Sequence, residues 1–231
     1  MDYGQMGPDG YPQSSLPWQE RRRHSSGFAA FVKTIPAVLL KPSDAFSHIQ
    51  VDRSLGGSML YVVILGTVGG VFSALWQLLV QTSMPMPAMP MPMGPNERQL
   101  IATYMLMMRR FMVVGIIMTP FTVLIVSLIK ALIFHACLWL VGGARQSFEA
   151  TYAVVAYASG STALFSMVPG CGRIVGTIWD LVISIIGLAR VHECSTGRAV
   201  LAVLLPVILC CGATVFLFTS LIAMVVAGAA H

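Results

Sequence analysis

From Ser58 to Val80 the chain runs for roughly 23 residues without a charged side chain, enough for a helix to cross a hydrocarbon core of about 30 Å. Further apolar runs cover about 111–140, 150–168, 172–188 and 199–227. With 56% hydrophobic and only 10% charged residues among 231, one soluble core cannot hide this much apolar surface, and it must face lipid. The sequence therefore predicts an all-α integral membrane protein whose bundle of about five transmembrane helices occupies residues 51–231.

Ahead of the bundle the composition changes twice. Residues 1–26 carry Gly, Pro, Ser, Gln and Asp together with the basic run Arg21, Arg22, Arg23. Such a segment cannot bury enough to fold alone, and a disordered cytoplasmic tail is expected. From Gly27, residues Phe28, Phe31, Val32, Ile35 and Leu39 recur at helical spacing with Lys33 opposite. This is the pattern of an amphipathic helix lying among lipid head groups, assigned to the region 27–50. Phe28, Phe31, Lys33 and the three arginines are the residues expected at the lipid surface. The net charge of +5 is thereby matched to anionic lipid and not to nucleic acid.

After the first span comes Met84-Pro85-Met86-Pro87-Ala88-Met89-Pro90-Met91-Pro92-Met93, where so many prolines remove amide donors that an extended loop is expected. The next helix is expected to begin near Asn96 and to reach Leu140 as one tilted span kinked at Pro120. Placing the N-terminus inside puts nine of the fourteen basic residues on the cytoplasmic side and four opposite, with Lys130 inside a span. The expected topology has a cytoplasmic N-terminus and an outside C-terminus.

No pattern here carries enzyme chemistry. A zinc site on a helix needs a second imidazole one turn after a His-Glu pair, and His192-Glu193 is followed at that position by Thr196. Ser159 and Ser161 have no histidine at their own depth to activate them, His135 lying nearer the helix end. No glycine-rich phosphate loop ends in Lys-Ser or Lys-Thr, and the five cysteines include no Cys-x-x-Cys pair. No cofactor is expected. The one metal candidate is the proline-rich loop, whose thioethers at Met84, Met86, Met89, Met91 and Met93 are soft ligands suited to Cu(I). The plainer reading of that loop is a low-complexity linker.

Two charges do fall inside spans. Lys130 and Asp180 each lie about ten positions from the cytoplasmic end of their helix, and at about 1.5 Å per residue their depths are nearly equal. An unpaired charge at mid-span costs about 2.5 to 3.5 kcal/mol, so the two are expected to pair. Gly66 and Gly70 in the first span, and Gly172, Gly176 and Gly187 in the fourth, line one side of their helices and are expected at helix–helix contacts.

The C-terminal half carries a recognisable series: Phe148-Glu149-Ala150-Thr151-Tyr152, Val155-Ala156-Tyr157, Val168-Pro169-Gly170-Cys171-Gly172, Ile178-Trp179, Ile185-Ile186-Gly187-Leu188, His192 and Arg198-Ala199-Val200. In order and spacing it resembles the Yip-one domain family. The resemblance implies five spans, a cytosolic N-terminus and no catalytic activity. Eukaryotic relatives bind Rab-type GTPases and associate with one another, but their tail signature Asp-Leu-Tyr-Gly-Pro is not in this chain, where Asp2-Tyr3-Gly4 and Gly7-Pro8 stand instead. That departure puts a GTPase partner in doubt and suggests a prokaryotic relative. It would act as a non-enzymatic scaffold or adaptor in the cytoplasmic membrane, attached to other membrane proteins or to copies of itself. The alternative is a small transporter or metal-handling protein using Lys130, Asp180 and the methionine loop.

Overall fold

The computed structural model describes residues 16–20, 26–47, 49, 55–83 and 94–229. Seven α-helices follow in order: α1 (Gly27–Leu40), α2 (Pro42–Ser47), α3 (Leu55–Ser83), α4 (Pro95–Leu140), α5 (Phe148–Ala163), α6 (Gly172–Val191) and α7 (Thr196–Ala229). A 3₁₀ turn over Leu164–Met167 extends α5. Proline sits at the first position of α2, where its missing N–H has no helical partner to lose. Gly170, at φ 79°, turns the chain between the 3₁₀ segment and α6, in a region of backbone space that a side chain disfavours.

Among the described residues, four helices are long and apolar enough to cross a membrane: α3, α4, α6 and α7. The third expected span, 150–168, is shorter than its apolar run. Its α-helix ends at Ala163, so α5 is the short fifth member of the bundle. It is held on all sides, packing on α3, α4 and α6, while α1 lies against it and α7 against α4 and α6. Nearly every α5 residue from Ala150 to Thr162 is buried. α4 has 46 residues, about 69 Å at 1.5 Å per residue, far more than one perpendicular crossing needs.

The core is aromatic. Rings of Trp18, Phe31, Tyr61 and Tyr157 follow one another at centroid distances of 5.1, 5.1 and 4.9 Å, the first pair edge to face and the other two tilted, within the range of favourable aromatic contacts. Tyr61 also bonds Ser161 across the α3–α5 contact at 2.7 Å.

This chain of rings corrects two expectations. Residues 16–20 fell in the segment read as a disordered tail, yet Leu16 and Trp18 are buried. Trp18 donates its backbone N–H to Thr34 Oγ1 at 2.9 Å and its indole N–H to the Gly57 carbonyl at 2.8 Å. One large ring with both donors satisfied is enough to dock a polar segment. Phe31, expected at the lipid surface, turns inward between Trp18 and Tyr61, whereas Phe28 is 76% exposed and Lys33 is exposed. α1 buries instead a stripe of Ala30, Thr34 and Val38. Arg21, Arg22, Arg23 and the methionines from Met84 to Met93 lie outside the described residues.

Candidate functional site

α4, α5 and α6 each contribute one polar side chain to a point midway along the bundle. Lys130 Nζ forms an ion pair with Asp180 Oδ2 and donates to Ser159 Oγ at 2.9 Å. Ser159 in turn donates to Asp180 Oδ1 at 3.0 Å. The ammonium also lies 5.4 Å from the centroid of the Phe134 ring, one turn along α4, a cation–π distance. Both carboxylate oxygens and the ammonium are thus occupied, and the side chains are only 22% and 15% exposed. An ammonium held in an ion pair has no lone pair with which to accept Ser159's proton, so the Lys–Ser contact is not a nucleophile–base dyad.

The pair bridges a gap. α4 and α6 flank α5 with little backbone contact between them, and above the pair they leave a cleft of about 600 Å³ reaching Asp180 and Ser159. Its remaining lining includes Gln77, Thr119, Thr162, Thr177 and Arg173.

The glycines mark where helices close. A Cβ on Gly66 would stand 2.5 Å from Val123, and one on Gly70 2.6 Å from Thr119, both on α4. One on Gly172 would run into the Phe165 carbonyl, one on Gly176 would lie 3.0 Å from Phe165 Cβ, and one on Gly187 2.5 Å from Val154 and 3.0 Å from Phe46. All five face protein, as small residues at helix interfaces do.

A second polar group closes the end of the bundle where α6 stops. His192 is fully buried. Its Nδ1 accepts from the backbone N–H groups of Arg145 and Gln146 at 3.2 and 3.1 Å. Two donors on Nδ1 assign the ring proton to Nε2, which donates to Thr151 Oγ1 at 2.9 Å. Thr151 also bonds His135 Nδ1 at 2.8 Å. Burial, with His135 nearby, pushes the His192 pKa down to about 4. Sequence reading did not assemble this group, because its members sit on α4, α5 and the α6–α7 turn, and no local spacing joins them.

Among the described residues, no group of three or more His, Cys, Asp or Glu is placed to hold a metal ion. Fold and site define a polytopic helical membrane protein closed around an internal ion pair. The Yip1 domain model matches residues 37–228, most of the chain, and the protein belongs to the Yip1 domain family, which is not known as enzymatic. No curated protein and no solved structure matches it.

Proposed function

We propose that this Yip1-domain protein is a non-enzymatic membrane scaffold of a prokaryotic cytoplasmic membrane. Its N-terminal face is cytoplasmic, its C-terminus is outside, and other membrane proteins or further copies attach to that face. The observation that supports this reading best is the docking of Trp18 and α1 on the bundle through the Thr34 and Gly57 bonds. It makes the N-terminal segment a fixed platform with Phe28 and Leu40 presented outward at 76% and 77% exposure. Photo-crosslinking amino acids placed at these two positions in native membranes test it. Discrete protein adducts at Phe28 and Leu40, against none at the exposed Phe216 of α7, are expected; equal labelling at all three positions, or none, speaks against a platform.

A second reading, a small transporter, draws support from the cleft that leads to Lys130 and Asp180, since intramembrane charges mark substrate paths. Metal handling by the outer loop remains a separate proposal. A competition titration of a Met84–Met93 peptide against a Cu(I) chelator decides it, and no transfer leaves the loop a linker.

A further inference from the structure

The cleft above the ion pair is rich in hydrogen-bond acceptors and carries one unengaged cation. Seven hydroxyls line it: Ser73 and, deeper or on the facing helices, Thr119, Thr122, Ser159, Thr162, Ser166 and Thr177. Each of them but Ser73 already donates its proton. Ser159 gives it to Asp180, Ser166 to the Gly69 carbonyl, and the four threonines to carbonyls one turn back on their own helices. What these oxygens still offer is lone pairs. A ligand that satisfies them must bring donors of its own.

The cation stands at the mouth. Arg173 lines the cleft, and its guanidinium has no hydrogen-bond or ion-pair partner among the described residues, so its five N–H donors are open to an anion. The twenty residues of α6 measure about 30 Å, the thickness of a hydrocarbon core. Arg173, its second residue, then lies at the boundary with the head groups. Asp180, seven positions on and therefore on the same helix face, lies about 10 Å deeper. α4 and α6 make little backbone contact with each other, and the cleft lies between them and α3. A smaller recess of about 340 Å³ shares Ser73, Gln77, Ser166 and Arg173 with it and adds apolar Trp76, Val80 and Val168. An anion at the rim, donors inside and an apolar exit together describe an amphiphile.

We propose that the cleft binds the head group of a phospholipid whose phosphate carries an alcohol with N–H or O–H donors, ethanolamine or glycerol. The phosphate sits on Arg173, and the alcohol's donors meet the hydroxyl oxygens below. Choline has no such donor and is excluded on the same ground. This reading is independent of the scaffold proposal, whose crosslinks arise on α1.

The full chain is purified into nanodiscs holding phosphatidylcholine, phosphatidylethanolamine and phosphatidylglycerol in equal amounts, and the retained lipid is read by native mass spectrometry. Retention of the ethanolamine and glycerol lipids over the choline lipid is expected. Arg173→Ala should lower that retention about tenfold, or about 1.4 kcal/mol, and Arg173→Lys should recover part of it. The double replacement Thr122→Val with Thr177→Val keeps the side-chain shapes and removes two acceptor oxygens, so it should narrow the preference over choline. It also tests the site if the Arg173→Ala protein does not fold. Retention of phosphatidylcholine equal to the others, or an unchanged pattern in the folded variants, overturns the proposal. Displacement of the lipid by soluble sn-glycerol 3-phosphate or phosphoethanolamine overturns its choice of a lipid and assigns the cleft to a free phosphate ester.

Discussion

α5 and the far half of α7 are both apolar helices, yet the first is enclosed on every side while α7 is exposed from Val207 to Met224. Hydrophobicity does not separate them. α7 is the more apolar of the two, with Leu209, Phe216, Phe218 and Leu221 outward. In lipid a large apolar side chain gains little by moving from acyl chains to another helix, so association depends on close packing and interhelical hydrogen bonds. α5 supplies both, through Ala150, Ala153, Ala156, Ala158 and Gly160 for close approach and Thr151, Ser159 and Ser161 for bonds to neighbouring elements. The hydroxyls of α7 turn back on its own carbonyls.

The largest expected effect tests whether the enclosed region extends to the N-terminal segment. Trp18→Ala removes a buried ring, its contact with Phe31 and its indole bond to the Gly57 carbonyl, and should cost about 3–5 kcal/mol. Phe216→Ala on exposed α7 should change stability by less than about 0.5 kcal/mol. Thermal unfolding of both variants in one detergent compares them, and losses of equal size would erase the distinction between the two regions.

The buried histidine sharpens the comparison through pH. His192 has its folded pKa pushed down to about 4, below the ordinary 6.5 it regains on unfolding. Between these values the unfolded chain binds more protons, so its contribution is intact above about pH 6.5 and is lost as pH falls toward 4. The loss approaches about 3 kcal/mol. His192→Gln should flatten that slope in a pH series of unfolding midpoints. An unchanged slope would mean that another group governs it.

The smallest effect comes from glycine. Gly187→Val forces a side chain against Val154 and Phe46 and should cost about 1–3 kcal/mol by overpacking, while Gly212→Val on α7 meets nothing within 4 Å and should be tolerated. Similar yields of folded protein from the two variants would count against the enclosed α6 face.

What was legible in the sequence follows the same divide. Long runs facing lipid, as in α3 and α7, declare themselves because each needs only length and apolar composition. α5 was placed but overextended by several residues, since a helix buried all round has no polar face to mark its end, and the 3₁₀ turn after Ala163 keeps the same apolar character. Trp18 was hidden by its polar neighbours; a lone Trp next to Leu16-Pro17 was the available signal. Phe31 was read outward because periodicity fixes a face without saying whether lipid or protein covers it. Lys130 and Asp180 stood out by charge and depth. Ser159, considered in the sequence as a nucleophile, does not declare itself as the third member of their group, because a serine on a small-residue helix fits close packing equally well.

The Lys130–Asp180 contact joins α4 to α6 across the gap over α5. Replacing Lys130 or Asp180 alone by Ala leaves the other charge unpaired, and each should cost about 3–5 kcal/mol. The exchange of Lys130→Asp with Asp180→Lys keeps both charges at the same depth. Measured as folded protein recovered and as unfolding midpoint, the exchange should restore a substantial part of what either single change loses, and the double alanine variant should fall short of the sum of the singles. Additive single losses with no recovery on exchange would contradict the pair at the centre of this bundle.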